Sequence, residues 1–377
     1  MRKSSIAFID INTIPFEGFT SGLLISVKEI LLRLKILNHK THIISFSQRR
    51  NLSKKQILYI GIEIEHYFFS KNQYYFDQLK LSKSIKKIII EKYDEVDVFI
   101  MCTPAVFPDP IYLIILAILK QRNKKIKIIA FDDLLPKNSI AFIKKYINSI
   151  RELEVFAVSN TIKLNYEELL KKKVVLLPNI YNLNKVISRD HLSRKEYITM
   201  INTHPIKGVE IFKRIAMKMP AQKFLIIKNW VDVPEFKSYS SNVILRKFTN
   251  PIKKIYAKTK ILIVPSLCEE GSARVVVEAA LNGIPVIANA IGSLVEYKGI
   301  AIFMTPPNIQ GYQLKKTILY PIVNDNELDD CINNYIKQIN RLNNEPNYVS
   351  LSVRIKDKAH VMVNKWDREF QKIIEKW

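Results

Sequence analysis

Two carboxylates, Glu270 and Glu278, stand eight residues apart around the start of a predicted helix. In one continuous helix that spacing would separate them by about 12 Å and nearly a quarter-turn. If Glu270 precedes the helix and Glu278 lies inside it, both side chains can face one ligand site. The alternative is that Glu270 complements the helix dipole from the first turn and Glu278 is a surface residue. The spacing alone leaves both interpretations open.

A strand, a polar elbow and a helix must position these carboxylates. The apolar run 261–264 predicts a buried parallel strand, residues 269–272 form the elbow, and a helical repeat of apolar residues follows. Gly283 and Pro285 end the helix, and residues 286–288 predict the next strand. The elbow thus lies at the carboxyl end of the first strand of a βαβ unit. Open parallel sheets bind ligands there, and a helix N-terminus attracts anions.

A lysine and a glycine precede another predicted helix in the second half of the chain. Lys207 and Gly208 stand between a predicted strand, 197–202, and a predicted helix, 209–219. A lysine at a helix N-terminus can clamp a diphosphate, because its point charge adds to the free N–H groups. His204, just before them, could supply a further donor or could cap the loop.

The loop 12–22 follows the first predicted strand, 4–11, and leads into a helix that begins near residue 23. A strand, a Gly-containing loop and a helix form a phosphate-binding arrangement. Gly18 and Gly22 do not have the spacing of a dinucleotide fingerprint. A plain loop with a helix start at Ser21 is therefore the alternative.

The composition points to an anion-binding protein. The 377-residue chain carries a net charge of +24, from 59 basic and 35 acidic residues. Such a charge predicts attraction to nucleotide phosphates, nucleic acid or an anionic membrane surface. Three cysteines at no metal-binding spacing favour a reducing, cytoplasmic location. The N-terminus does not read as a signal peptide, and the apolar run 111–119 is about half a membrane span, so we expect a buried helix there.

Strand and helix patterns alternate in both halves of the chain, which predicts an α/β protein of two domains. The polar segment 182–195 has no clear period and is the expected linker. We therefore place one domain over residues 1–184 and the other over 195–355. A long helix is expected at the end of the chain, over about 349–377.

The order of residues around the elbow resembles the donor-binding segment of retaining glycosyltransferases of family four, which have the GT-B fold. The shared pattern is a Pro-Ser pair, two glutamates eight residues apart, and a Gly and a Pro before the next strand. In this chain the pattern consists of Pro265, Ser266, Glu270, Glu278, Ala279, Gly283, Pro285, Val286 and Ile287, continued by Gly292 and Glu296. The resemblance covers most of the chain and is most specific over residues 199–297.

The resemblance implies two Rossmann-like domains facing each other across a cleft, an acceptor domain over 1–184 and a nucleotide-sugar donor domain over 195–355. The last helix, with residues 360–377, would cross back to the first domain. The implied reaction is transfer of a hexose, with retention, from a nucleotide-diphospho-sugar to a glycan or lipid-linked acceptor. Surface polysaccharide or glycoconjugate biosynthesis is the implied setting. No cofactor and no metal are expected.

The resemblance also assigns roles to individual residues. Glu270 would hold the hydroxyls of the transferred sugar, Glu278 the ribose hydroxyls, and Lys207 the diphosphate leaving group. Asp132, a catalytic candidate with Glu270 and Lys207, stands where family members often carry a His that contacts the donor sugar, and Phe248 would stack on the nucleobase. The other implied donor-binding positions are Gly18, Ser21, Gly22, Gly208, Gly271, Ser272, Ala273 and Arg274.

Two other functions stay open. The charge also fits a non-catalytic basic protein that binds nucleic acid or a membrane, although no nucleic-acid-binding motif is present and we expect no nucleic-acid partner. A GT-B protein without activity is the other alternative, because Asp132 replaces a His and no Arg stands within 198–206. The basic segment 137–151 would suit an anionic bilayer as a peripheral anchor, or would pack in the core.

Overall fold

The computed structural model describes residues 3–11, 22–47, 57–59, 62–70, 73, 77–103, 109–131, 147–189, 195–228, 240–248, 251–316 and 318–377. The chain divides into two compact units. Unit 1 consists of Met1–Ile180 together with Trp366–Trp377, and unit 2 consists of Tyr181–Lys365. Of the residues singled out above, Gly18, Ser21 and Asp132 lie outside the described residues, as does most of the segment 137–151.

Unit 1 is built on one sheet with helices. Its strands are β1 (Ser5–Ile11), β2 (Lys40–Ser47), β3 (Ile57–Tyr59), β4 (Ile62–Phe68), β5 (Val98–Cys102), β6 (Lys125–Ala130), β7 (Leu153–Ala157) and β8 (Val175–Leu176). Its helices include α1 (Gly22–Ile36), α2 (Gln78–Tyr93), α3 (Pro110–Gln121) and α4 (Asn160–Leu170). In the described part of the chain the strand order is β3-β4-β2-β1-β5-β6-β7-β8. Every neighbouring pair is parallel except β3 and β4, which are antiparallel.

The central strands of unit 1 are buried on both faces, which explains their continuous apolar sequences. In β1, residues 6–10 are all buried, and β5 and β6 show the same pattern. Polar side chains begin the helices: Asp109 accepts a hydrogen bond from the Ile111 amide at 2.9 Å, and Ser159 accepts one from the Ile162 amide at 3.2 Å. Such caps satisfy N–H groups that the helix itself leaves without a partner.

Unit 2 repeats this architecture. Its strands are β9 (Tyr197–Ile201), β10 (Phe224–Lys228), β11 (Val243–Lys247), β12 (Thr259–Val264), β13 (Val286–Asn289), β14 (Ala301–Met304), β15 (Ile309–Lys315) and β16 (Ile318–Val323). Its helices include α5 (Leu183–Val186), α6 (Val209–Lys218), α7 (Lys253–Tyr256), α8 (Arg274–Leu281) and α9 (Asp325–Asn343). Six strands form an all-parallel sheet in the order β11-β10-β9-β12-β13-β14. Strands β15 and β16 form a separate antiparallel hairpin.

The last helix, α10 (Tyr348–Ile374), belongs to both units. Its final residues are part of the hydrophobic core of unit 1, where Phe370, Ile374 and Trp377 are all buried. The Trp377 ring meets the Phe156 ring of β7 edge-on, with 5.2 Å between centroids. The Arg33 guanidinium of α1 forms an ion pair with Asp367. Residues from the end of the chain thus complete the unit that contains its beginning.

The predicted fold class is confirmed, since both units are parallel α/β sheets with helices. The predicted strand 261–264 is β12, and the predicted helix after the elbow is α8. Neither hairpin, β3–β4 or β15–β16, was predicted.

Candidate active site

The candidate site lies where the strand order of unit 2 reverses. From β9 the chain proceeds outward through β10 and β11 on one side, and β12, β13 and β14 continue on the other side. The connections that leave the carboxyl ends of β9 and β12 therefore diverge and open a crevice, which is where open α/β sheets bind ligands. The segment after β9 contains Lys207, and the segment after β12 contains Glu270. Two residues that are 63 positions apart in sequence thus meet at one place.

Lys207 and Glu270 form an ion pair at this crevice. The Lys207 Nζ lies 2.8 Å from the Glu270 Oε2, and the side chains are 27% and 12% exposed. The Ser266 hydroxyl donates a hydrogen bond to the other carboxylate oxygen, Oε1. Both oxygens of Glu270 are therefore engaged, which fixes the direction of the carboxylate. Enough of the lysine is exposed for an anion to reach it.

Glycines allow the turns of the site to touch. Gly208 has a φ of 82°, and a Cβ there would lie 1.9 Å from the Pro265 carbonyl oxygen. Gly292 has a φ of 54°, and its Cβ would lie 2.5 Å from the Glu270 amide nitrogen. At both positions the left-handed backbone and the lack of space require glycine. The turn after β9, the elbow and the turn after β13 are consequently one packed assembly.

Backbone hydrogen bonds connect the same three turns. The Leu267 amide donates to the Ile206 carbonyl at 2.8 Å, and the Ser293 amide donates to the Glu270 carbonyl at 2.9 Å. Deeper in the unit, the buried Asn289 amide group donates to the Ser266 carbonyl at 3.0 Å. These bonds hold the backbone around Glu270 on three sides.

His204 caps a short helix beside Lys207. Its Nδ1 accepts a hydrogen bond from the Ile206 amide at 3.4 Å, at the start of the 3₁₀ helix Pro205–Lys207. Burial lowers the pKa of His204, and the charge of Lys207 lowers it further. A neutral imidazole is what this cap requires, because Nδ1 must carry a lone pair. The capping alternative for His204 is confirmed.

Glu278 lies inside unit 2, on α8. Glu270 precedes that helix, and the surface alternative for Glu278 is wrong, because its exposure is 3%. The Tyr256 hydroxyl donates to Glu278 Oε2 at 2.9 Å, and Arg274 Nε lies 3.5 Å from Oε1. Burial raises the pKa of Glu278 more than Arg274 and Tyr256 lower it.

Arg274 stands at the first position of α8 with an exposure of 6%. Its guanidinium carbon lies 4.3 Å from the centroid of the Tyr181 ring, a cation–π contact. One face of the guanidinium therefore meets an aromatic ring and its Nε meets the carboxylate of Glu278. This buried cluster of Tyr181, Tyr256, Arg274 and Glu278 was not predicted as a unit, because three of its members contribute no motif of their own.

The structure brings most of the predicted donor-binding residues together. Lys207 and Gly208 lie on the turn after β9, and Glu270, Gly271, Ser272, Ala273, Arg274 and Glu278 lie on the elbow and α8. Phe248 follows β11 and is half-buried against the small core cluster of Leu225, Ile227 and Ile255. Gly22 is the first residue of α1 in unit 1 and is exposed. Within the described residues, no group of three or more His, Cys, Asp or Glu could hold a metal ion.

No helix among the described residues is long and apolar enough to cross a membrane. The longest, α10, carries several charged residues between Arg354 and Lys372.

A family model described as "Glycosyl transferases group 1" matches residues 197–318, which include Lys207, Glu270 and Glu278. The resemblance noted from the sequence is thereby confirmed for this segment. A comparison with curated protein sequences found no match to the chain.

Solved structures resemble the chain over its full length. A glycosyltransferase from Rickettsia africae is 20% identical, with a TM-score of 0.70, covering 100% of this chain and 98% of the other. HepE from Anabaena, in complex with UDP and glucose, is 15% identical, with a TM-score of 0.70 and 99% coverage of both chains. A sucrose-phosphate synthase from Thermosynechococcus elongatus is 14% identical, with a TM-score of 0.71, covering 99% and 98%. These likenesses establish the fold, and the GT-B prediction is confirmed.

Proposed function

We propose that this chain, whose residues 197–318 match the family model of the group 1 glycosyl transferases, moves a sugar from a nucleotide-diphospho-sugar to a glycan or lipid-linked acceptor. The observation that carries the proposal is the Lys207–Glu270 ion pair at the reversal point of the parallel sheet in unit 2. It offers a cation for a diphosphate and a carboxylate for sugar hydroxyls within 2.8 Å of one another. Donor binding at such a site needs both.

Donor binding would exchange partners within this pair. The diphosphate displaces the Glu270 carboxylate from Lys207, because two phosphate charges attract the lysine more strongly than one carboxylate does. Glu270, still held by Ser266, is then free to accept hydrogen bonds from hydroxyls of the transferred sugar. The amide groups at the start of α8 add donors for the phosphate oxygens.

The proposed reaction is a front-side displacement with retention. The bond between the anomeric carbon and the phosphate oxygen breaks, and a bond from the acceptor oxygen to the same face of that carbon forms. The departing phosphate takes the acceptor proton, so the products are the glycosylated acceptor and a nucleoside diphosphate. Lys207 stabilises the charge that develops on the leaving group, and this stabilisation is larger in a site with little water.

Glu278 is proposed to accept the ribose hydroxyls. A carboxylate offers about four lone pairs, and because the Glu278 side chain is only 4% exposed, ribose contact requires that donor binding open the cluster around it. For Arg274, one of the implied donor-binding positions, we propose a positioning role: its contacts with Glu278 and Tyr181 hold the carboxylate in place. The proposal also includes Phe248 as the residue that stacks on the nucleobase and Asp132 as a contact of the transferred sugar. It further includes three donor-binding residues of unit 1, Gly18, Ser21 and Gly22.

A thermal-shift panel with UDP, GDP and ADP tests donor binding. HepE was solved with UDP, which makes the uridine nucleotide the first to try. At a ligand concentration of 100 times Kd, binding stabilises by about 2.7 kcal/mol, equivalent to roughly 5–11 °C for a unit of this size. No shift with any of the three at millimolar concentration would refute the proposal and favour a non-catalytic basic protein.

Two variants separate the roles of the ion pair. Lys207→Gln should lose the nucleotide-dependent shift and the transfer activity, since the cation for the diphosphate is gone. Glu270→Gln should keep most of the nucleotide shift but lose transfer, since only the sugar contact changes. Lys218→Gln, an exposed lysine on α6 in the same unit, serves as the matched control and should resemble the wild type in both assays. Wild-type transfer by Glu270→Gln would rule out its assigned role.

The remaining parts of the proposal concern the setting. Unit 1 would bind the acceptor, the reaction would need no metal, and the protein would act in the cytoplasm at the inner face of a membrane during polysaccharide or glycoconjugate biosynthesis. The net charge of +24 supports attraction to anionic lipid headgroups. Transfer assays with and without EDTA, and in the presence of anionic vesicles, test these points.

A further inference from the structure

The hairpin β15–β16 is an apolar structure attached to the candidate site. Its strands pair with each other and, in the described residues, form a two-stranded sheet of their own. One face packs on the core of unit 2 through Ile318, which is 8% exposed, and Tyr320. Isolated two-stranded hairpins are marginal in water, so this packing is what keeps it folded.

The opposite face of the hairpin is apolar and exposed. Leu314 and Leu319 are directly paired across the strands, and Tyr312 is paired with Pro321. Residues paired in this way, and residues two apart along a strand, lie on one face of a sheet. The exposed fractions are 63% for Leu314, 36% for Leu319 and 40% for Tyr312. A face turned to water usually carries polar residues at such positions.

The end of the hairpin is basic. Lys316 stands at the end of the hairpin and is exposed, and the sequence 309–323 contains no Asp or Glu. Lys315 pairs with Ile318, and its Nζ lies 5.1 Å from the centroid of the Tyr320 ring, so it belongs to the core side of the hairpin. The exposed apolar face comprises four side chains, whereas a stable protein–protein interface takes about 20–30 residues a side. Apolar residues bordered by lysines are the composition that binds at the boundary between acyl chains and anionic headgroups.

The hairpin is joined to both halves of the candidate site. The Tyr312 hydroxyl donates to the Leu267 carbonyl at 2.9 Å, on the elbow just before Glu270. Strand β16 packs against the 3₁₀ helix Pro205–Lys207, which ends with the lysine of the ion pair. Whatever holds the hairpin therefore also holds the site in a defined position.

We infer that the outward face of the hairpin, made of Tyr312, Leu314, Leu319 and Pro321, docks on an anionic phospholipid surface. Leu314 and Leu319 enter the acyl boundary, and Lys316, at the end of the hairpin, pairs with lipid phosphates. The docking stands independently of the proposed function. Its consequence rests on that function: a site held at the lipid surface meets an acceptor whose lipid part lies in the same layer.

Vesicle flotation of the full chain tests the inference. We expect binding to vesicles that contain phosphatidylglycerol and at least tenfold weaker binding to phosphatidylcholine alone. The double variant Leu314→Ser/Leu319→Ser should lose at least about tenfold in binding to the anionic vesicles, because two leucines no longer leave water. Lys316→Gln should lose about fivefold in binding to the anionic vesicles and show a weaker dependence on salt, whereas Lys315→Gln, on the core side of the hairpin, should lose less.

Two single variants are the matched controls. Met217→Ser removes an apolar side chain of 68% exposure from α6, in the same unit, and should bind like the wild type. Leu79→Ser removes one of 70% exposure from the lysine-rich helix α2 in unit 1. If Leu79→Ser loses binding and the Leu314/Leu319 variant does not, the inference is wrong and the surface lies on unit 1.

Further measurements keep the result decisive. Leu314→Trp should be quenched by brominated acyl chains, and an unquenched indole in bound protein would overturn the inserted geometry. The Leu314/Leu319 variant should keep the wild-type melting temperature and nucleotide-dependent shift, which separates a failure of docking from a failure of the proposed function. Light scattering measures the oligomeric state of the wild type and of the Leu314/Leu319 variant. If the wild type is a dimer, the variant is a monomer and both bind vesicles equally, the face contacts a second copy of the chain and lipid docking is refuted.

Discussion

Arg274→Met isolates the energetic role of the buried cluster on α8. Methionine has a similar length and removes the charge and the guanidinium plane. Glu278 would then keep Tyr256 as a hydrogen-bond donor but lose the cation 3.5 Å from its Oε1. The side chains of Arg274 and Glu278 are only 5% and 4% exposed, so water cannot replace the arginine. The variant leaves an uncompensated carboxylate in the interior.

Breaking a buried ion pair from one side costs about 3–5 kcal/mol. For a unit of this size that corresponds to a fall in melting temperature of roughly 6–20 °C. Urea unfolding at neutral pH gives the free energy directly, with the transition of unit 2 as the one that should move. A loss below about 1 kcal/mol would show that the carboxylate is solvated and would refute the buried-cluster interpretation.

The loss should depend on pH, with a definite sign. Burial already holds the pKa of Glu278 above its ordinary value of 4.5, and removal of Arg274 raises that pKa further. At pH values between the pKa of Glu278 in the unfolded state and its higher pKa in the folded state, the folded state binds more protons. The free energy of unfolding therefore falls as the pH rises through this range. The difference between wild type and Arg274→Met should therefore be small near pH 4.5 and grow as the pH rises to neutrality. A difference that grows toward acid pH would contradict this reasoning.

A double-mutant cycle supplies the control. Glu278→Gln removes the charge while keeping the shape and the acceptor for Tyr256. The double variant Arg274→Met/Glu278→Gln should recover much of the stability lost in Arg274→Met, because no unpaired charge remains inside. If the two free-energy changes add to within about 0.5 kcal/mol, the residues are not coupled.

Two further variants test the packing of unit 2 and the titration of a lysine. Gly208→Ala should lower the free energy of unfolding, measured by urea titration, by more than about 2 kcal/mol, because its Cβ would lie 1.9 Å from a backbone oxygen of Pro265. Gly299→Ala is the control for backbone strain. Gly299 also has a positive φ, but its Cβ would face only the flexible end of Lys358, at 3.4 Å. Lys195, whose ammonium donates to a backbone carbonyl, has its pKa lowered by burial to about 8. At pH values between the folded-state pKa and the higher unfolded-state pKa of Lys195, the unfolded state binds more protons than the folded state. The free energy of unfolding of the wild type should therefore rise relative to that of Lys195→Met as the pH increases from 8 to 10. A difference that does not change with pH would contradict the lowered pKa.

The pattern of apolar residues, together with the glycines and prolines that end helices, predicted most of the fold. Continuous apolar runs identified the buried strands, as at 261–264 in β12, and Gly283 with Pro285 correctly ended α8. These features depend on neighbours along the chain, so the sequence contains them locally. The hairpin β15–β16 was missed because both of its faces carry apolar residues and its turn lacks the Asn-Gly or Asp-Gly signal of a tight turn.

The site was predictable in its residues but not in its contacts. Lys207-Gly208 and Glu270 were found separately, yet their ion pair depends on the adjacency of β9 and β12, which is a property of the sheet. The burial of Glu278 was even harder to predict from the sequence. Carboxylates are almost never fully buried unless paired, and its partners Tyr256 and Arg274 belong to no motif that predicts such a pairing.

Because α10 contributes residues to both units, unit 1 cannot be completed until unit 2 has been synthesised. The residues that contribute Phe370, Ile374 and Trp377 to the core of unit 1 are translated after the whole of unit 2. At about 5–20 residues per second, unit 1 would wait roughly 10–40 s on the ribosome with part of its apolar surface uncovered. Exposed apolar surface of this kind is prone to aggregation, and a fragment that stops at the end of unit 2 would keep it exposed permanently.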